Sequence, residues 1–406
     1  MKILHVVPSL SPLLGGPTNV ALQLNKSLLD LGVDTQILTT DDNRGSHLEV
    51  PINEKVLYKG VPTTFLPCTW QAKEFIYSSE LSKWRHRLSS FDLIHTHYLF
   101  SYLPGWCAWA ARRQNVPYIM RPLGQLTPWA LTQSSTKKKL YSSLIERRNL
   151  QKAAAIHCTS QEETKNVKDF GIRAPSISLP LGVIVPERIH NAKQILHHIY
   201  QIPIETPVVL FLSRIHPKKQ PEVLVKALKE LVNDGCYHVI FAGTGDPSYV
   251  VALRSLVKQL VLEKNVTFTG FVSGYDKNLL LQGSDVFALP SHSENFGIAV
   301  AEALISKLPV VITPGIQIST EIQAAAAGII VEARASEFAY SIQQIIEQPD
   351  LSRQLSENGF RLANTRYSWR AIAKDLCAVY EDIHLNRNRY SGVNNKRDRV
   401  LLADTP

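Results

Sequence analysis

The sequence predicts an α/β fold of two doubly wound βα domains, and three observations carry the prediction. Apolar strand-like runs alternate with helix-periodic segments through the first half; the alternation starts again in the second half; and 406 residues, 45% of them hydrophobic, are enough for two cores.

Taken in order, "KILHVVP" (2–8) and "DTQILTT" (34–40) read as strands, and "TNVALQLNKSLLDLG" (18–32) between them has helical spacing and a glycine stop. "FDLIHTH" (91–97), "PYIMRP" (117–122) and "AAAIHCTS" (153–160) continue the strand series. Pro186, Pro203 and Pro207 then interrupt it, which puts the boundary within 183–206. The second series is "PVVLFLSR" (207–214), "YHVIFAGTG" (237–245), "VTFTGFV" (266–272), "SDVFALPS" (284–291), "LPVVITPG" (308–315) and "AGIIVEA" (327–333). Alternation of this kind implies parallel sheets flanked by helices. "YSWRAIAKDLCAVYEDI" (367–383) reads as an amphipathic helix, and the polar, basic residues after it as a disordered tail.

Five cysteines without a C-x-x-C pair suggest neither a disulfide framework nor a zinc site. The start, "MKILHVVPSL", is too short an apolar run for a signal peptide, and no run reaches membrane-span length, so the expected location is cytoplasmic. The net charge is +9, and part of it is local: between residues 131 and 152, Lys137, Lys138, Lys139, Arg147, Arg148 and Lys152 stand against the single acid Glu146. Two readings stand, a solvated helix face and a surface that meets anionic lipid at the inner face of the plasma membrane. Nucleic acid is not expected, because no basic stripe is interleaved with stacking aromatics.

Ligands of doubly wound domains lie outside the carboxyl ends of the strands, here expected as a cleft faced by both domains. Gly15 and Gly16, His97, Arg121, Arg214, Gly243, Gly245 and Glu294 all fall at such ends. In "HSENFGIAVAE" (292–302) two glutamates stand eight apart, which on one continuous helix would set them about 80° apart. The better reading is a strand, a loop carrying Glu294, a tight turn at Gly297 and a helix from about Ile298 with Glu302 a turn inside it. The N–H groups of Phe296, Gly297 and Ile298 then form an anion site between two carboxylates, an order that suits the sugar, pyrophosphate and ribose of a nucleoside diphosphate sugar. In "SRIHPKKQ" (213–220), Arg214 and Lys219 can converge on one diphosphate across the Pro217 turn. "AGTGDPSY" (242–249) lacks the third glycine of a dinucleotide fingerprint.

With these motifs the chain resembles the family 4 retaining glycosyltransferases of GT-B fold over nearly its whole length. The resemblance implies that Glu302 binds the donor ribose, that Arg214 and Lys219 bind the pyrophosphate, and that Glu294 with the Asn295, Phe296, Gly297 and Ile298 backbone holds the donor sugar and phosphate. Phe271 and Val272 resemble the base-binding strand end, and Gly16, His97 and Arg121 match positions used near the reacting sugar or the acceptor. It further implies an acceptor-side domain over 1–186, an interdomain linker over 187–206, a nucleotide-sugar domain over 207–366, a helix over 367–385 crossing back to the first domain, and the tail 386–406. Ser213 and Gln220 stand where the family commonly has glycine, and Leu181 where Asn is frequent.

The implied reaction moves a sugar from a nucleotide donor to a glycan or lipid-linked acceptor in polysaccharide, lipopolysaccharide or glycolipid biosynthesis, with Arg214, Lys219, Glu294 and His97 as catalytic residues. His97 meets either the sugar or a β-phosphate oxygen, or else merely caps a buried strand end; His95 reads as structural. No cofactor and no divalent metal are expected, since the close acidic pair Asp41–Asp42 lies far in sequence from the nucleotide half. A nucleotide-sugar isomerase or phosphorylase and a non-catalytic basic binding module are the alternatives.

Overall fold

Strands buried on both faces read as continuous apolar runs, and the computed structural model bears this out at the centre of two sheets. It describes residues 1–14, 16–72, 75–127, 130–131, 146–234 and 236–386. The chain divides into two units, residues 1–182 with 369–406, and residues 183–368.

The first unit is built on an eight-stranded sheet. Its strands are β1 (Lys2–Ser9), β2 (Asp34–Thr40), β3 (Lys55–Tyr58), β4 (Val61–Leu66), β7 (Leu93–His97), β8 (Tyr118–Arg121), β9 (Ala155–Cys158) and β10 (Ser176–Ser178); β5 (Trp70–Ala72) and β6 (Phe75–Tyr77) form a separate hairpin. The order is β10-β9-β8-β7-β1-β2-β4-β3, parallel except for β3 against β4. The last helix, Trp369–Leu385, lays Trp369, Ile372, Ala373, Leu376 and Tyr380 against Ile3, Leu93, Ile119 and Ala155 of this sheet. Gly182 lets it seat, because a Cβ there would meet the Trp369 ring at 2.2 Å.

The second unit has six parallel strands, β11 (Val208–Leu212), β12 (His238–Ala242), β13 (Val266–Gly270), β14 (Val286–Leu289), β15 (Val310–Ile312) and β16 (Ile329–Ile330), in the order β13-β12-β11-β14-β15-β16. The order reverses between β11 and β14, and a doubly wound sheet opens its ligand crevice at that point.

The 187–206 segment, expected as a linker, lies wholly in the second unit and carries the helix Ala192–Ile199. Ala192 and Leu196 on that helix lie against Gly283 of the helix Gly274–Gly283, where a Cβ would meet the Ala192 carbonyl oxygen at 2.8 Å. The flanking prolines bound a helix rather than mark a structureless connection. The expected disordered tail, from residue 387 on, and Lys137 to Lys139 of the basic run lie outside the described residues.

Candidate functional site

In the second unit the loops after β11 and β14 are tied to each other. The backbone N–H of His292 donates to the Lys218 carbonyl at 2.8 Å, and the Ser291 hydroxyl donates to the same oxygen at 3.2 Å. On the other side Glu294 N–H donates to Gly315 O at 3.0 Å, and Gln317 N–H donates to Glu294 O at 3.3 Å. The charges that the sequence places 75 positions apart thereby meet: Lys219 Nζ and a Glu294 carboxylate oxygen form an ion pair, with side chains 9% and 18% exposed.

Arg214 sits exposed on the same loop. The backbone on either side of it is held by the non-glycine residues of "AGTG": Ser213 N–H donates to Ala242 O at 3.1 Å and Ile215 N–H to Thr244 O at 2.9 Å. A Cβ on Gly243 would stand 1.9 Å from Ser213 O, and one on Gly245 2.0 Å from Ile215 O. Close approach of two backbones therefore accounts for both glycines without a dinucleotide. Gln220 adopts φ +48°, in the left-handed region that glycine enters without penalty.

Arg214, Lys218 and Lys219 give this loop a positive field. Burial, and then the neighbouring Lys219, hold the Lys218 ammonium below its usual range; burial, Arg214, Lys219 and Lys218 do the same to the His216 imidazole. A set of like charges that depress one another is relieved by an anion.

The helix Ile298–Ile305 starts beside this field, capped by Gly297 at φ +88°. A side chain there would be strained twice, by the left-handed backbone and by a Cβ 2.9 Å from Ile316 Cγ2. The Phe296 ring is 2% exposed and meets Tyr367 edge-on with centroids 5.4 Å apart, so only its backbone can serve a ligand. Asn295 and Ile298 are half-buried. Glu302, on the helix, is paired with Lys277 Nζ at 2.6 Å. Lys277 was not singled out from the sequence; its only signal is its place near the start of the helix that follows Phe271 and Val272. Phe271 is 70% exposed beyond the end of β13, and Val272 is half-buried.

In the first unit Gly16 opens the helix Gly16–Asp30 directly after β1 and a short helical turn. His97 and Arg121 are cross-strand neighbours at the carboxyl ends of β7 and β8. Both are about 1% exposed. His5 and His157, which sequence reasoning passed over, join them along with His95. His5, His95 and His97 bring ligating atoms within 4.8 Å of one another. Among the described residues, all of their nitrogens but His97 Nδ1 are hydrogen-bonded, to each other, to Tyr380 or to His157. Beside them lies the Arg121 guanidinium, whose three nitrogens are buried without a hydrogen-bond partner. A divalent ion would have to break these bonds next to a buried cation. Burial and Arg121 hold His5 down at about 3, and burial is the first cause of the depression of His95, His97 and His157 as well. Burial brings Arg121 itself down to about 10.

Comparison with known proteins agrees with this architecture. The family described as Glycosyl transferases group 1 matches residues 192–362, and the Glycosyl transferase 4-like domain matches residues 15–182. The D-inositol 3-phosphate glycosyltransferase of Xylanimonas cellulosilytica is 25% identical over 388 residues, covering 90% of this chain and 91% of its own. That of Corynebacterium glutamicum is 24% identical, with 92% and 93% covered. Among solved structures, Anabaena HepE in complex with UDP aligns at a TM-score of 0.75 with 19% identity over 94% of this chain and all of its own. The sucrose-phosphate synthase of Thermosynechococcus elongatus aligns at 0.74 with 20% identity over 95% of this chain and all of its own. These structures share the GT-B fold of two Rossmann-like domains.

Proposed function

The chain belongs to the group 1 glycosyltransferases, and on that premise we propose that it moves a sugar from a nucleoside diphosphate sugar to an acceptor hydroxyl with retention at the anomeric carbon. One observation carries this reading: Arg214, Lys219, Glu294 and the N-terminus of the Ile298–Ile305 helix collect at the carboxyl ends of β11 and β14, where the strand order reverses. HepE, of the same fold, is known in complex with UDP-glucose, a ligand of the proposed class.

The chemistry follows from charge. Without a donor, Lys219 and Glu294 neutralise each other; the pyrophosphate takes the ammonium and the sugar hydroxyls take the carboxylate, so binding exchanges one set of charge-assisted bonds for another. As the glycosidic bond breaks, negative charge grows on the leaving pyrophosphate, and Arg214, Lys219 and the helix N-terminus are in place to hold it. Glu302 accepts the ribose hydroxyls, and Phe271 with Val272 borders the base. With the donor bound, Glu294 is engaged by the sugar hydroxyls and is no free nucleophile, which favours departure and attack on one face of the sugar. His97 and Arg121 are assigned to the reacting sugar and the acceptor. The acceptor is a glycan or a lipid-linked sugar, and Arg147 and Arg148, both exposed, are the proposed contact with anionic lipid. Among the described residues no helix is long and apolar enough to cross a membrane.

A thermal-shift screen across UDP-, GDP- and ADP-sugars tests the donor class, because a ligand that binds only the folded protein raises its melting temperature. One base should stand out. No shift with any of the three at millimolar concentration would overturn the reading, and turnover of donor without acceptor, beyond slow hydrolysis, would favour the isomerase or phosphorylase alternative.

A further inference from the structure

Strands β9, β8, β7 and β1 are neighbours in the first sheet, and on one face each turns from apolar to polar within two residues. Ile3 is followed by His5, Leu93 by His95 and His97, Ile119 by Arg121, and Ala155 by His157. The register sets His5 beside His95 and His97 beside Arg121, and pairs Ile156 with Met120, which brings His157 next to Arg121. The last helix covers this face and inserts Tyr380 among the rings.

Five hydrogen bonds run through the cluster. His157 Nε2 is 3.3 Å from the Leu179 carbonyl oxygen, and His157 Nδ1 is 3.3 Å from His95 Nε2. His95 Nδ1 is 2.6 Å from the Tyr380 hydroxyl, that hydroxyl is 3.2 Å from His5 Nε2, and His5 Nδ1 is 2.9 Å from His97 Nε2.

The direction of this chain follows from its end. A carbonyl oxygen only accepts, so His157 carries its proton on Nε2 and accepts at Nδ1. His95 must then donate from Nε2 and accept at Nδ1, which takes the Tyr380 proton. The Tyr380 oxygen accepts from His5 Nε2–H, and His5 Nδ1 accepts from His97 Nε2–H. Reversing the chain would aim the His157 Nε2 lone pair at the Leu179 carbonyl. The argument requires neutral rings, and burial together with the Arg121 charge keeps them so.

We propose that His157, His95, Tyr380 and His5 form a directional hydrogen-bond chain that holds His97 as the Nε2-protonated tautomer, so that its Nδ1 accepts a hydrogen bond from a substrate hydroxyl. This rests on the assignment of His97 to the reacting sugar and sharpens it, because a ring with Nδ1 as its remaining atom cannot donate to a phosphate oxygen. Tyr380 and the three other histidines are positioning residues. Arg121 serves the chain as the fixed charge that keeps it neutral, a role separate from any contact with the acceptor.

The test is two-bond ¹H–¹⁵N correlation spectroscopy of the imidazole rings in the full-length protein, with His97 assigned by the signals lost in His97→Asn. Wild type should show His97 protonated at Nε2 alone; an Nδ1-protonated or doubly protonated ring at neutral pH overturns the chain. Tyr380→Phe keeps the buried ring and removes the hydroxyl link. It should mix the His97 tautomers and lower kcat roughly tenfold, the worth of one neutral hydrogen bond, with donor KM within about twofold. An unchanged His97 spectrum in that variant also overturns the proposal. If the spectra behave as expected but His97→Asn keeps wild-type kcat, the chain stands and the substrate role of His97 falls.

Discussion

Mild acid should destabilise the first unit while leaving most of its carboxylates charged, the buried Glu146, which burial raises to about 7, being the exception. His5, His95, His97 and His157 are each 0–1% exposed and titrate below the ordinary histidine value of 6.5. In the unfolded chain they titrate near 6.5, so below that pH the unfolded state binds protons that the folded state refuses. Stability contributed by a depressed base is fully present above 6.5 and is lost as pH falls from 6.5 toward the folded values, about 3 for His5. At pH 5.5, one unit below the unfolded value, each ring that stays neutral costs about 1.4 kcal/mol and the four together up to about 6 kcal/mol, of which the buried Glu146, raised to about 7 and protonated there in the folded state, offsets a part. That equals much of the ~5–15 kcal/mol by which a domain is stable. Tryptophan fluorescence reports the right unit, since all 6 tryptophans (70, 84, 106, 109, 129 and 369) belong to residues 1–182 or the last helix. Urea titrations at pH 7.5 and 5.5 should show the midpoint fall by a large fraction of its value. An unfolding free energy that changes by less than ~1 kcal/mol between these pH values would refute the neutral cluster, and with it the basis of the hydrogen-bond chain.

Four further outcomes are expected. Glu302→Ala should weaken nucleotide-sugar binding by roughly 1.5–3 kcal/mol in calorimetry with folding intact, and unchanged affinity would remove the ribose assignment. Gly297→Ala should cost about 1–3 kcal/mol of stability and raise donor KM, because the helix N-terminus must shift to clear Ile316; a melting temperature and KM equal to wild type would show that the turn tolerates a side chain. Arg214→Ala should lower kcat about a hundredfold while wild-type initial rates survive EDTA, and either chelator-abolished activity or normal kcat in the variant sinks the cationic leaving-group site; Lys219→Ala is the poorer choice because it leaves Glu294 part-buried and unpaired. Sedimentation should show salt-sensitive binding to anionic vesicles that Arg147→Glu with Arg148→Glu weakens, and equal binding to neutral vesicles argues against the lipid contact.

The central strands were legible because parallel strands in the middle of a sheet are buried on both sides. "VVLFL", "HVIFA" and "VFAL" are buried at every residue and need no partner to be recognised. The hairpin of β3 and β4 was missed for the opposite reason: Lys55–Tyr58 alternates exposed and half-buried at the sheet edge, and β4 carries a proline and two threonines. The helix Ala192–Ile199 hid between prolines, although its apolar residues at 192, 195, 196 and 199 have helical spacing.

At the site, the identities of the charged residues were legible and their pairings were not. Arg214, Lys219, Glu294 and Glu302 stand out because charges at strand ends are costly unless used. That Lys219 meets Glu294 and Lys277 meets Glu302 depends on which loops adjoin across the sheet, and strand order, unlike strand position, is a long-range property. The histidine cluster is the extreme case, since Tyr380 and His5 are 375 residues apart. Yet it left a trace in the sequence: on four strands, a histidine or arginine stands two places after a buried apolar residue. One such residue reads as a strand end. Four on adjacent strands cannot all be solvated once the sheet forms, so the chain must either expose that face or supply polar partners to cover it, and the last helix, whose face on the sheet is apolar except for the Tyr380 hydroxyl, supplies one.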